Sequence, residues 1–403
     1  MPNPLECDLL LAERGLVDYE ALKTSRHKPL VNCYRNHRKI TDKASMVKSL
    51  QDYAVELKID PVTLMPSSFV FMSNYELILQ QTPAPAPAAA VKSESVESLV
   101  GSSPADAKKA ERRLSRSISR EKILAAKQTG LQRNVEKERK QRELFIEEAK
   151  RNPNKIWIAK VSNGAKGEKI CISRDPVEVL QHIDTTDTVD GNRHSQPWVV
   201  QQYVSSPFLI NNRKFDIRYW VLVDSTYKIY AYRTGVCRTS SEAYDPSNLS
   251  NQFIHLTNHC IQEGHPNFGK EETGNELFFD AFDDYLVKSN AGPGRRVRDL
   301  KEQLNQLAVH SILALQPLVR QEDADNFRSF HFFGFDFLVD SNFRCTLLEI
   351  NATPAAALVL LSDMAADVIR CVVDPLFPPQ DAKYVEVLSK RQNQFDLIYT
   401  PAK

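Results

Sequence analysis

Two stretches near the C-terminal end alternate apolar and polar positions with the period of a β-strand. They are Phe332-Phe333-Gly334-Phe335-Asp336-Phe337-Leu338-Val339-Asp340 and Thr346-Leu347-Leu348-Glu349-Ile350-Asn351. Side chains alternate across a strand, so Asp336 shares a face with Gly334 and Leu338, and Glu349 shares one with Asn351. Paired as a hairpin, the two strands bring two carboxylates and an amide together in an otherwise apolar sheet. The same alternation sets Lys214, Asp216, Arg218 and Trp220 opposite Phe215, Ile217, Tyr219 and Val221. That strand, Lys214–Val223, reads as a hairpin with Tyr227–Arg233 over Asp224-Ser225-Thr226. Shorter strands are expected at Ser68–Phe71, Trp157–Lys160, Ile170–Ser173 and Trp198–Tyr203. Helical spacing appears in Lys43–Leu57 and in the series Val297, Leu300, Leu304, Leu307, Ile312, Leu315 and Val319. Shorter helices are expected at Tyr19–Leu22 and Pro176–Ile183, and a last one at roughly Ala355–Val373. Interleaved strands and helices predict a mixed α/β (α+β) fold.

Composition narrows the function classes. A chain of 403 residues has room for two or three compact units. Its net charge of +1 supplies no global field for a nucleic acid or a membrane surface. No stretch approaches the 18 or more apolar residues of a bilayer span. The opening MPNPLECDLLLAERG lacks the basic start and long apolar core of a secretory leader. Seven cysteines stand singly, with no C-x-x-C pair, as in the core of a protein kept in a reducing compartment. The pattern breaks at Thr82–Ala90, which is rich in Pro and Ala, and at Ser93–Ser119, which has almost no aromatics. Between Lys108 and Arg151 there are 15 Lys and Arg against 7 Glu, so this segment is locally basic. Residues 82–150 therefore read as a disordered basic insertion, with Val135–Lys150 carrying the mixed charge of a solvated helix.

Buried carboxylates need a partner or a cation. Oxygen ligands that include carboxylates suit Mg²⁺ completed by water and nucleotide phosphates. Asp336, Glu349 and Asn351 are thus candidate metal ligands; hydrogen-bonded buried polar groups are the open alternative. The loop 161–169 holds two glycines and is flanked or occupied by Lys160, Lys166 and Lys169. Glycines let backbone N–H groups approach a phosphate, and lysines neutralise it. The loop lacks the G-K-[ST] of a Walker A sequence, and an ordinary exposed hairpin would also explain it. Lys214 and Arg218 on one strand, with Arg238 downstream and Asp216 to orient them, make a plausible polyphosphate clamp. His255 and His259 are four apart with His265 nearby. No Glu accompanies them in the zinc pattern, and Asn258 is the better candidate for a polar contact near a nucleotide.

Taken together these pieces resemble the ATP-grasp arrangement of the tubulin–tyrosine ligase family. The resemblance rests on Ile158-Ala159-Lys160, Gly164-Ala165-Lys166-Gly167-Glu168, Arg213–Arg218 (RKFDIR), Tyr232-Arg233 with Gly235-Val236, His255–Gln262 (HLTNHCIQ), Gly274-Asn275-Glu276, Phe333–Phe337 (FGFDF) and Phe377-Pro378-Pro379. Tyr34-Arg35 and Lys43-Ala44-Ser45 add to it near the start. It covers about residues 28–80 and 153–380. The resemblance implies ATP and Mg²⁺ as cofactors. It implies Lys43, Lys160 and Lys166 as phosphate contacts, and Gln201, Gln202, Tyr203 and Val204 as the hinge for adenine. Lys214, Asp216 and Asn258 become further nucleotide contacts, Arg218 and Arg238 the catalytic pair, and Asp336, Glu349 and Asn351 the metal ligands. The implied activity is ligation of free tyrosine to the C-terminal carboxylate of detyrosinated α-tubulin through an acyl phosphate. Two rivals stand beside it: a tubulin glutamylase or glycylase, and a non-catalytic tubulin-binding protein. The implied partner is the acidic tail of the α/β-tubulin dimer, and the implied setting is a monomer in the cytoplasm, associated with the cytoskeleton. The implied organisation is a truncated N-terminal domain over 1–40, a central ATP-grasp subdomain over 41–204, a C-terminal ATP-grasp domain over 205–380 and a tail over 381–403. Lys169 and Ala352 stand where the family has glycine.

Overall fold

The computed structural model describes residues 6–13, 15–75, 132–164, 166–189, 195–289, 294–321 and 325–402. Thr82–Ala90, Ser93–Ser119 and the start of the basic stretch lie outside them. The chain forms two units. The first comprises residues 1–70, 154–175 and 197–403, and the second residues 71–153 and 176–196.

The first unit is organised around the strand Arg213–Val223, which is buried along almost its whole length. Its odd-numbered residues Phe215, Ile217, Tyr219, Val221 and Val223 enter the main core, as alternation predicts. That core also takes Phe333, Phe335, Phe337 and Val339 from strand His331–Val339, and the apolar stripes of helices Lys43–Leu57 and Val297–Val319. Both helices have the expected bounds. Lys43–Leu57 starts on Asp42, whose carboxylate accepts the Ser45 N–H, and stops at Lys58, which turns left-handed. Arg213–Val223 lies between Val236–Thr239 and His331–Val339, and the latter pairs with Cys345–Asn351. All these pairings are antiparallel. Ile229–Tyr232 forms the expected hairpin with Val221–Val223. A smaller sheet orders Ser68–Met72, Pro197–Gln202, Trp157–Val161 and Cys171–Ser173. A parallel three-stranded sheet joins Leu9–Leu10, Leu30–Val31 and Arg328–Ser329. The mixed architecture is the one expected.

Two expectations are corrected. The end of the supposed disordered insertion is a helix over 132–151, within the second unit. Phe145 is fully buried against Phe71, with ring centroids 5.6 Å apart. Arg142 donates to Asp184 (2.7 and 2.9 Å), to Glu138 (3.0 Å) and to the Met72 carbonyl (3.0 Å). A paired and shielded arginine reads in sequence like a solvated one, which is why composition missed the helix's burial. The second correction concerns residues 381–403, expected as a tail. They hold the helix Ala382–Ser389 and the strand Phe395–Tyr399, which pairs antiparallel with Ile229–Tyr232 and buries Phe395 against Tyr232.

Candidate active site

Register builds the site. Across neighbouring strands Arg238 faces Asp216, Arg218 faces Asp336, Asp336 faces Glu349, and Gly334 faces Asn351. Four strands therefore bring oppositely charged side chains to one face of the sheet, where cross-strand neighbours touch. Arg218 reaches both oxygens of Asp336 (2.5 and 3.1 Å). Arg238 reaches both oxygens of Asp216 (2.7 and 2.6 Å) and also Asp336 (3.1 Å). Gly334 makes room for this arrangement, because a Cβ there would stand 2.5 Å from Pro354 and 3.1 Å from Arg218 Cδ. Asp336 is only 2% exposed. Burial pushes its carboxyl pKa up, but Arg218 and Arg238 outweigh burial and hold it below the usual carboxylate range.

The residues expected at the site line one cavity of about 490 Å³. Lys43, at the start of its helix, bonds the Gly164 carbonyl (2.9 Å) and pairs with Glu349 (3.2 Å). Lys160 lies 3.4 Å from Gln201 Oε1, and burial depresses its pKa. Lys214 donates to Tyr203 Oη (3.0 Å) and to the His255 carbonyl (2.8 Å). Burial, with Lys160 nearby, lowers the Lys214 pKa to about 7. Lys166, Gln202, Val204 and Asn258 complete the expected set on the cavity wall. Asn351 lies between the two carboxylates, its Nδ2 3.2 Å from Asp336 and 3.4 Å from Glu349. A half-turn of that amide would present its oxygen instead, so three oxygen-bearing groups can face one point. Among the described residues no three or more His, Cys, Asp or Glu side chains cluster as a metal site. A hard cation at this triad would draw its remaining ligands from phosphate and water, as Mg²⁺ does.

The glycine-containing loop is shaped differently from a simple Asn-Gly turn. Left-handed backbone falls at Lys166, Gly167 and Lys169. The backbone at Gly167 (φ +75°) favours glycine, and a Cβ there would also push aside the end of the Ile261 side chain, 2.3 Å away. Lys169 adopts a conformation natural to glycine.

The histidines have separate partners. His255 bonds Tyr203 Oη and the Asn248 carbonyl, both at 2.8 Å. His259 packs edge-on to Phe268, and His265 pairs with Glu242 at 3.0 Å. The Tyr203–His255 contact was not read from sequence, since 52 residues separate its ends and neither strand alternation nor helical spacing links them.

The family model described as "Tubulin-tyrosine ligase family" matches residues 102–385. Over 230 residues the chain is 29% identical to "Tubulin glycylase 3C" of Tetrahymena thermophila, covering 54% of this chain and 20% of that protein. It is 28% identical over 250 residues to "Probable alpha-tubulin polyglutamylase Ttll1" of the same organism, covering 58% and 57%. It is 31% identical over 216 residues to "Probable tubulin polyglutamylase ttll-9" of Caenorhabditis elegans, covering 53% and 49%. The chain thus spans from a fifth to somewhat over half the length of these relatives.

Proposed function

The chain belongs to the tubulin-tyrosine ligase family, and on that premise we propose that it is an ATP-dependent ligase joining an amino acid to a carboxylate of a tubulin tail. The observation that carries this reading is the convergence on one cavity of lysines, the two arginines, the carboxylates of Asp216, Asp336 and Glu349, and the Asn351 amide. A carboxylate is a poor electrophile, so the γ-phosphoryl group is transferred to its oxygen and ADP leaves. The amine then attacks the carbonyl carbon, inorganic phosphate departs and the amine loses a proton. Lys43, Lys160 and Lys214 offer cations to the phosphates, and Gln201 to Val204 line the end suited to the base. Arg218 and Arg238 keep their Nη1 groups outside the bonds to Asp336 and Asp216. These ends can hold the incoming carboxylate beside the phosphate against their mutual repulsion. Asp336, Glu349 and Asn351 would hold Mg²⁺, which neutralises charge developing between the β- and γ-phosphates.

The names of the matched relatives favour glutamate or glycine as the amino acid. Tyrosine is the second reading, favoured by the HLTNHCIQ and GNE segments. The test is to incubate the protein with Mg-ATP, tubulin (untreated or detyrosinated) and labelled glutamate, glycine or tyrosine in parallel. ATP-dependent incorporation of one of them is expected, and the label that enters decides between the readings. Nucleotide binding without incorporation of any would overturn ligation in favour of a tubulin-binding role.

A further inference from the structure

The wall of the cavity around Lys214 contains a hydrogen-bonded chain, Lys214–Tyr203–His255–Asn248, whose linkage the ligase reading does not use. Its polarity is fixed from one end. His255 Nε2 lies 2.8 Å from the Asn248 carbonyl, which can only accept, so Nε2 carries the proton. In the neutral ring Nδ1 is then an acceptor, and the Tyr203 hydroxyl, 2.8 Å away, donates to it. The Tyr203 oxygen is left to accept from Lys214 Nζ at 3.0 Å. The His255 carbonyl takes a second Lys214 proton at 2.8 Å, and the ammonium lies 4.3 Å from the Tyr203 ring centroid. Two of the three N–H bonds of Lys214 are directed into the protein, and the third is left for the occupant of the cavity.

We propose that His255, acting through the Tyr203 hydroxyl, is a positioning residue that aims the Lys214 ammonium into the cavity. The inference rests on the nucleotide-site reading above. Only the neutral imidazole serves: a protonated ring would donate from both nitrogens and turn the Tyr203 proton toward Lys214. The surroundings favour the neutral form. Burial and the nearby Lys214 lower the His255 pKa, while the Asn248 hydrogen bond and Asp245 oppose them. Tyr244 packs edge-on against the imidazole and donates its own hydroxyl to the Ser205 carbonyl. Tyr203 and His255 are both buried, so their geometry is held by packing.

The test is a double-mutant cycle on the full chain. The Kd of a non-hydrolysable Mg-ATP analogue is measured for the wild type, Tyr203→Phe, Lys214→Met and the double variant. Tyr203→Phe keeps the ring and removes only the hydroxyl. Positioning predicts that it weakens binding by about fivefold, roughly the value of one hydrogen bond, and that it adds no further loss once Lys214 is Met. Independent additive losses would overturn the proposal. So would an unchanged Kd for Tyr203→Phe beside a weakened Lys214→Met. A Lys214→Met variant that binds as tightly as wild type would instead sink the nucleotide-site assignment of Lys214, a distinguishable failure. A second readout needs no nucleotide: the pH profile of Lys214 acylation by acetic anhydride, followed by mass spectrometry. Loss of the tyrosine acceptor should move its midpoint to lower pH, and an unmoved midpoint would contradict the relay. His255→Gln should shift it in the same direction.

Discussion

The cavity has two differently built charged walls. On the arginine wall each cation is matched: Arg218 and Arg238 share Asp336, and Asp216 holds Arg238 from the other side. On the lysine wall Lys214 is buried and Lys160 half-buried; their hydrogen bonds go to neutral oxygens, burial outweighs the carboxylates nearby, and both have depressed pKa values. The arginine wall offsets part of its desolvation cost through its own carboxylates. The lysine wall retains an unmet preference for negative charge. On the proposed reading a polyphosphate would gain most from the lysines, while the arginines would contribute geometry. Breaking the two walls should accordingly give different kinds of damage.

The largest effect is expected at Asp336. Its replacement by Ala leaves Arg218 without its carboxylate beside Arg238, which keeps only Asp216, and removing one partner of a buried network costs about 3–5 kcal/mol. A thermal melt should show a drop on the order of 10 °C; a melt within 2 °C of wild type would show that the arginines do not depend on Asp336. Glu349→Gln should behave in the opposite way. Glu349 is half-buried and its partner is Lys43, so the melt should barely move. Ligation should fall on the order of 100-fold, as for loss of a transition-state contact. Full turnover in this variant would remove Glu349 from the metal site.

Arg238→Lys tests the geometry of the matched wall. A lysine keeps the charge but cannot span Asp216 and Asp336 with a planar fork. A loss of roughly tenfold in kcat/KM is expected, within the range for weakened electrostatic positioning. An undiminished kcat/KM would make Arg238 a charge without a geometric role.

The smallest effect concerns the lysine wall and pH. Lys214 titrates near 7 in the empty cavity, and bound phosphate favours its charged form. Binding must then take up a proton above that pH, and affinity should decline as pH rises through about 7. Calorimetry in buffers of different ionisation enthalpy would reveal the uptake. Proton release on binding, or an affinity flat from pH 6 to 8.5, would contradict the shift.

Much of this was legible from residues. Alternation placed Asp336, Glu349 and Asn351 on the cavity face and the phenylalanines of FGFDF in the core, because a two-residue period leaves few choices once one face is apolar. Helical spacing gave Val297–Val319 its correct bounds. What escaped were features set by register between distant strands and by pairing. The Asp216–Arg238 fork joins positions 22 apart through strand pairing; alternation offered Asp216 as a carboxylate to orient the clamp cations but could not say which arginine it holds. The helix over 132–151 looked solvated because the ionic partners of Arg142 lie at Glu138 and, 42 residues away, at Asp184. The strand Phe395–Tyr399 carries only a short alternation, and its partner strand is more than 160 residues earlier.

The central claim is that Asp336, Glu349 and Asn351 hold a divalent cation together with a nucleotide. It is tested most directly by electron paramagnetic resonance of Mn²⁺ titrated into the protein with and without a non-hydrolysable ATP analogue. Two carboxylates and an amide are too few ligands alone, so tight Mn²⁺ binding should appear only with the analogue and vanish in Glu349→Gln. Tight Mn²⁺ binding that ignores the nucleotide, or that survives Glu349→Gln unchanged, would contradict the account.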